Sequence, residues 1–200
     1  MPLDVLACGA FVLAATALLG SPGPGIAALV AVGRARGFLG GLRYYAGLQV
    51  GLALAAGIAA AGIASVLQAL PAAMAAMTIN ATMYLVYLAC RIATSPVGSA
   101  RKEGVPSTSA MAGLLLGVVN PKAFVAFASL FASQAIVRSS PREDIMVKWT
   151  LCVIVMIVVD FAWLLAGVAL HRSTLRPEVE RALNLFLAAA IVAAAVLALA

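Results

Sequence analysis

Two helix-breaking motifs lie inside long apolar segments of this chain. The first, GSPGPG at residues 20–25, falls in an uncharged run from Val5 to Gly33. The second, NPK at residues 120–122, falls in a run from Gly104 to Val137 whose only charge is Lys122. Proline lacks a backbone donor and blocks a helical hydrogen bond, and hydrocarbon offers no water to replace that bond. Such breaks therefore indicate backbone that is buried in protein or lines a wet cavity, as at the binding sites of secondary transporters.

The composition is that of a membrane protein with several spans. The chain has 200 residues, of which 64% are hydrophobic and 10% are charged, whereas a soluble domain carries about 25% charged residues. A helix needs about 20 apolar residues to cross the hydrocarbon core. We predict an all-α fold with six transmembrane helices, at about residues 4–32, 45–67, 72–92, 110–137, 148–170 and 182–200. The first and the fourth are long, as broken helices would be.

The basic residues predict the orientation of these spans. Nine Lys and Arg side chains follow spans 1, 3 and 5, and three lie between spans 4 and 5. By the positive-inside bias the first group is cytoplasmic, so both termini are expected outside the cell membrane. No Lys or Arg precedes the first apolar run, which argues against a cleaved signal peptide. The net charge of +6 is distributed beside the spans, so we expect the lipid bilayer as a partner and no nucleic acid.

The spans form two groups of three, joined by the polar segment 94–109. An odd number of spans in each half requires the halves to be inserted in opposite senses, which is the inverted-repeat plan of many secondary transporters. We predict a single transmembrane domain over residues 1–200, with one half at 1–93, a cytoplasmic linker at 94–109 and a second half at 110–200.

Glycines four residues apart predict close helix packing. Gly47 and Gly51 form one such pair, and Gly113 and Gly117 form another. Small residues at this spacing let helix backbones approach closely in lipid. The contact lies either within one subunit or at the face of a dimer.

Asp160 is the sharpest candidate for a functional side chain. It lies near the middle of span 5, where a charge costs about 2.5–3.5 kcal/mol even on the lenient insertion scale. Such a carboxyl is paired, hydrogen-bonded or in a wet cavity. It either couples transport to protons or binds a substrate ammonium, or it is a structural partner of Lys122 or of broken-helix backbone.

The two breaks are candidates for the substrate path. A half-helix beginning near Gly25 would aim its positive end into the protein, where a carboxylate can bind, although a plain hinge needs the same residues. The Lys122 ammonium has three possible roles. It binds a substrate carboxylate, forms a salt bridge to Asp160, or extends toward the cytoplasmic face by snorkelling. The predicted path residues at the breaks are Ser21, Pro22, Gly23, Pro24, Asn120, Pro121 and Lys122.

Polar uncharged side chains in spans 2 and 3 are candidates for cavity lining. They are Gln49, Asn80, Tyr84 and Tyr87. The last three share one helix face by their spacing. Hydrogen bonding between helices, without a functional role, is the alternative.

Enzyme, metal and cofactor chemistry finds little support in the sequence. The three cysteines form no CxxC pair, and His171 is the only histidine, whereas metal sites need several clustered donors. No phosphate-cradling loop is present. We therefore expect no enzyme activity, no cofactor and no metal. The alternatives to a metabolite transporter are a metal-cation exporter, a membrane-embedded enzyme and a non-transporting partner subunit.

Several of these motifs occur together in one known family. They are Pro-Gly-Pro at 22–24, GRARG at 33–37, YLVYL at 84–88, NPKAF at 120–124, and Asp160 with Trp163. In this order they make the chain resemble the lysine exporter and homoserine/threonine resistance (LysE/RhtB) family of small bacterial exporters. The resemblance implies export of amino acids or related small metabolites across the inner membrane, driven by the proton-motive force and often by a homodimer.

Overall fold

The computed structural model describes residues 3–21, 23–62, 70–94, 109–172 and 177–197. In these ranges the chain is helical, with an isolated β-bridge between Leu3 and Val137. The helices are α1 (Val5–Gly20), α2 (Pro24–Ala60), α3 (Pro71–Ala93), α4 (Ala110–Val118), α5 (Pro121–Phe131), α6 (Pro141–Arg172) and α7 (Pro177–Leu197). Most of the predicted linker at 94–109 lies outside the described residues.

The described helices include two that are long and apolar enough to cross a membrane, Pro24–Ala60 and Pro141–Leu170. Helices α4 and α5 are bent by 53° and add a third crossing if they are one broken span. The predictions of an all-α membrane protein and of breaks after residue 20 and before residue 121 are confirmed. The layout of six spans stays a prediction.

Helix α2 folds back on itself at Gly37. This residue has φ 67° and ψ −164°, a conformation that glycine adopts without steric cost. A Cβ built on Gly41 would lie 3.3 Å from the Cα of Gly33, although a straight helix would separate the two by about 12 Å. The chain therefore forms two antiparallel arms, 24–36 and 38–60. Between the first two predicted spans, at residues 33–44, a single glycine makes the turn and both arms stay helical around it.

The first arm of α2 continues the direction of α1 and runs parallel to α6. Gly20 at the end of α1 faces Val159 of α6, and Val30 farther along the chain faces Gly167. Both helices therefore progress toward the same end of the molecule. The arm 38–60 must run the opposite way, because it is antiparallel to the arm 24–36.

Glycines bring α4 into backbone contact with the arm 38–60. A Cβ on Gly47 would overlap the Ala110 carbonyl, and a Cβ on Gly51 would overlap the Leu114 carbonyl. The order of these contacts makes α4 parallel to the arm 38–60 and so opposite in direction to α1. The interpretation of these glycines as packing residues within one chain is confirmed.

The N-terminus and the segment 132–140 lie together at one end of the molecule, here called the loop end. The Asp4 N–H donates to the Ile136 carbonyl at 3.0 Å, and the Arg138 guanidinium lies 3.0 Å from the Asp4 carboxylate. The ion pair is exposed and therefore screened by solvent, whereas the backbone hydrogen bond joins the two segments directly. The predicted alternation of spans requires the N-terminus and this segment to lie on one side.

Lys148 is buried at the loop end, although the sequence groups it with the basic residues that flank spans. It is 1% exposed, and its ammonium lies 3.0 Å from Asp144 and 2.9 Å from the Ser133 carbonyl. It also donates to the Phe131 carbonyl at the end of α5. The Asp144 carboxylate accepts from the Ile136 N–H at 2.6 Å. This ion pair therefore ties the end of α5 to the beginning of α6.

We expect Gly47→Ala to destabilise the protein strongly. The new methyl group would overlap the Ala110 carbonyl, which is backbone and cannot rotate away, and overpacking of this kind costs about 1–3 kcal/mol or more. Gly9→Ala is the control, because a Cβ at Gly9 meets nothing within 4 Å. Thermal unfolding of the detergent-solubilised proteins should show a lower midpoint for Gly47→Ala only, and equal midpoints would contradict the close contact.

We expect Lys148→Met to destabilise the loop end by about 3–5 kcal/mol, because removing one partner leaves the other charge buried. Arg142→Gln on the same helix is the control, since Arg142 is exposed. Limited proteolysis between α5 and α6 should speed up in Lys148→Met and not in Arg142→Gln. Equal cleavage rates would show that the buried pair does not hold this segment.

Candidate functional site

The two helix breaks meet in the folded chain. The Lys122 ammonium, after the second break, donates to the Ser21 carbonyl in the first. A Cβ built on Gly23 would lie 2.7 Å from the Lys122 side chain, and one on Gly25 would lie 3.7 Å from the Asn120 amide nitrogen. Motifs that are about a hundred residues apart in sequence are thus in direct contact, which brings most of the predicted path residues together.

Side chains satisfy the backbone that the first break leaves open at the end of α1. The Ser21 hydroxyl donates to the Leu18 carbonyl at 2.9 Å, and the Trp163 indole N–H donates to the Gly20 carbonyl at 3.3 Å. Lys122 supplies the third donor, to the Ser21 carbonyl. Its positive charge lies at the negative pole of the α1 dipole. The structure therefore places the Lys122 ammonium at the break and not at the cytoplasmic surface.

Two helix N-termini face the space between the breaks. The arm 24–36 begins at Pro24 and α5 begins at Pro121, and proline suits the first helical position because no N–H bond is required there. Neither N-cap residue, Gly23 or Asn120, makes a side-chain cap. The arm leads away toward Gly37, and α5 leads toward the loop end. Their positive poles therefore approach the same space from opposite directions.

Asp160 is buried beside this space, and a hydrogen bond from Gln49 holds its carboxylate. It is 5% exposed, and its carboxylate accepts from the Gln49 amide at 2.8 Å. Gln49 lies on the arm 38–60, so the turn at Gly37 is what brings it to α6. Lys122 and Asp160 line the same cavity. The structure thus brings the predicted charge pair to one site, with Gln49 as a partner of Asp160.

A cavity of about 410 Å³, part of it open to the surroundings, lies between these groups. Its polar side chains are Ser21, Asn120, Lys122 and Asp160, and the rest of the wall is apolar or glycine. Asn120 is 6% exposed, and no hydrogen bond to its side-chain oxygen is found in the described part of the chain.

Two residues of the polar face predicted on span 3, Asn80 and Tyr87, lie outside the cavity between the breaks. Asn80 is exposed and donates to the Ala76 carbonyl of its own helix at 2.8 Å. Tyr87 is 52% exposed, and neither residue lines the cavity between the breaks. Asn80 thus satisfies its amide within α3. The position of Pro22 and the side chain of Tyr84 lie outside what the structure describes.

The apolar residues that line the cavity, eight in all besides proline and glycine, were not predicted. Among them are Leu48 and Leu52 on the arm 38–60 and Met156 on α6. Met156 precedes Asp160 by four residues, and the two leucines are also four apart, so helical spacing places each pair on one face. That spacing was the available signal, but it does not separate a cavity wall from lipid-facing or buried positions in an apolar chain.

The described cysteine and acidic side chains do not form a cluster that could bind a metal ion. Across the residues that the structure describes, no three His, Cys, Asp or Glu side chains form a group that could hold a metal ion. Cys152 is buried, Cys8 is half-buried and Cys90 is exposed. Nothing in this arrangement assigns the cysteines to the site.

Comparison with known proteins identifies the family. The family model described as LysE type translocator matches residues 16–200, which include both breaks and Asp160. Comparison with curated proteins and with solved structures gave no match. A match over nearly the whole chain, together with its long apolar helices, makes this a multi-pass membrane protein of the translocator type. The chain belongs to the LysE type translocator family.

Proposed function

We propose that the protein is a secondary active exporter of amino acids or related small metabolites across the bacterial inner membrane, driven by protons. One observation supports this most strongly, which is that two helix N-termini, Lys122 and Asp160 surround one cavity. Helix N-termini and a lysine attract a carboxylate, and an aspartate attracts an ammonium. An amino acid carries both groups on one carbon, so its charges complement those of the cavity.

The proposed architecture has six crossings in two inverted halves. The first crossing combines α1 with the arm 24–36, the second is the arm 38–60, and the fourth combines α4 with α5. Helices α3, α6 and α7 supply the others. The opposite directions of α1 and α4, and the two half-helices that lead away from one cavity, support this plan. Residues 1–93 and 110–200 would then form one transport domain with both termini in the periplasm.

Competition at Asp160 provides the proposed coupling. A carboxylate neutralised by a proton no longer attracts an ammonium, and an ammonium bound at the carboxylate favours its charged form and so opposes protonation. Release of the amino acid outside therefore requires a proton to replace it, and loss of that proton inside prepares the site for the next substrate. The hydrogen bond from Gln49 keeps the carboxylate in place during this exchange.

Lys122 links substrate binding to the geometry of the breaks. Its ammonium donates to the Ser21 carbonyl of the first break while its chain belongs to the second. A substrate carboxylate at this ammonium competes with the Ser21 carbonyl and so loosens the contact between the two halves. Relative movement of the halves around a central site is the general route to alternating access.

Asp160→Asn should abolish export without preventing membrane insertion. The amide has nearly the shape of the carboxylate but neither takes up a proton nor carries a charge for the ammonium. The measurement is amino-acid release from cells that lack their own exporters, are fed dipeptides and express either protein. Glu178→Gln is the control, since it makes the same chemical change at an exposed position.

Two outcomes of this assay would count against the proposal. Full export by Asp160→Asn, with the protein present in the membrane, would remove Asp160 from the mechanism. Release of no amino acid by the wild type would reject amino-acid export, and release that survives collapse of the proton gradient would reject the proton drive.

Pro121→Ala should slow export by about tenfold, because alanine favours a continuous helix and a small displacement of site groups costs that much or more. Pro141→Ala is the control, since Pro141 is exposed at the first position of α6. Initial rates of release, normalised to protein in the membrane, make the comparison. Unchanged turnover in Pro121→Ala would show that the second break is not part of the path.

A further inference from the structure

Most of the cavity wall is aliphatic. Leu48 and Leu52 come from the arm 38–60, Ala126 from α5 and Met156 from α6. All four are buried. A charged side chain placed against them would lose its hydration and find no hydrogen-bond partner in this wall, which is strongly unfavourable. The wall therefore suits an uncharged, apolar group.

Asn120 offers an acceptor that the described part of the chain leaves unused. Its side-chain oxygen is buried and has no partner there, while the residue lines the cavity at the N-terminus of α5. Buried polar groups in native proteins nearly always have a hydrogen-bond partner. A donor group on a ligand in the cavity would complete this one.

The charges in the cavity match a substrate with one group of each sign. Among the described residues that line it, Asp160 carries the only carboxylate and Lys122 the only ammonium. A second cationic group on the substrate, as in lysine, would find no second carboxylate. A second anionic group, as in glutamate, would find no second ammonium among the described lining residues.

Building on the proposed export of amino acids, we propose that the substrate is an α-amino acid with an uncharged aliphatic side chain of leucine or methionine size, and that the Asn120 side-chain oxygen receives its ammonium beside Asp160. The carboxylate then lies at the N-terminus of the arm 24–36 and at Lys122. The side chain lies against Leu52 and Met156. Asn120 thereby becomes a specificity-determining residue as well as the N-cap residue of α5.

Counterflow into proteoliposomes tests the substrate class without requiring a proton gradient. Proteoliposomes that contain the purified full-length protein are loaded with unlabelled leucine. Uptake of labelled leucine, methionine, lysine and glutamate is then measured in parallel. Leucine and methionine should exchange at least about tenfold faster than lysine or glutamate. Equal exchange of lysine or glutamate would overturn the aliphatic class but leave amino-acid export intact. No exchange of any amino acid, whichever is loaded, would reject the proposed export function as well.

A cavity-filling variant tests where the side chain lies. Ala126→Leu narrows the aliphatic wall and should lower the ratio of leucine to alanine exchange by about tenfold or more. Ala162→Leu makes the same change on an exposed face of α6 and should leave the ratio unchanged. An unchanged ratio in a folded Ala126→Leu protein would place the side chain elsewhere.

The role of Asn120 is tested with a substrate analogue that lacks the ammonium. Leucine and 4-methylpentanoate are compared as inhibitors of leucine counterflow. In the wild type leucine should inhibit at much lower concentration, and in Asn120→Ala this advantage should fall several-fold, while Asn120→Asp, which keeps an acceptor oxygen, should retain it. A structural role alone would weaken both inhibitors equally, and that result would overturn the assignment.

Discussion

Backbone that is broken inside a membrane-spanning segment has to find its hydrogen-bond partners in the protein, and in this chain the second break supplies a donor to the first. Lys122 from the second break donates to the Ser21 carbonyl of the first, and Trp163 of α6 donates to the Gly20 carbonyl. The contacts that satisfy the end of α1 also bring the beginnings of two other half-helices to one cavity. The requirement for satisfied backbone and the candidate binding site therefore have the same structural origin.

Helix packing elsewhere in the fold positions the polar groups of the cavity. Glycines let α4 lie directly on the arm 38–60, and the turn at Gly37 folds that arm back so that Gln49 reaches Asp160. Helix α5 is tied at both ends by lysines, at its beginning by Lys122 to the first break and at its end by Lys148 to α6. Since α6 also carries Asp160, the two charges of the cavity belong to helices that are fastened together at the loop end.

The features predicted from sequence are those in which one residue type has a large local effect. Proline removes a donor wherever it occurs, and a buried aspartate needs a partner wherever it occurs, so the breaks and Asp160 were visible without a structure. The apolar wall of the cavity could not be predicted from the sequence. In a chain with this many leucines and alanines, Leu52 in the cavity wall and Leu54 on the exposed face have the same local sequence character. Nor does the spacing of Asn80 and Tyr87 on α3 reveal that neither lines this cavity.

The sequence by itself therefore determined that the chain is a helical membrane protein, where its helices break, and which glycines allow helices to touch, because these follow from local backbone chemistry and from the composition. Only the tertiary structure decided that the two breaks meet, that Gly37 reverses the chain, and that Lys122 reaches the first break while Lys148 is buried at the loop end. These depend on contacts between residues that are distant in sequence. The free energy of such contacts is set by which polar groups find partners out of water, and local patterns do not encode it.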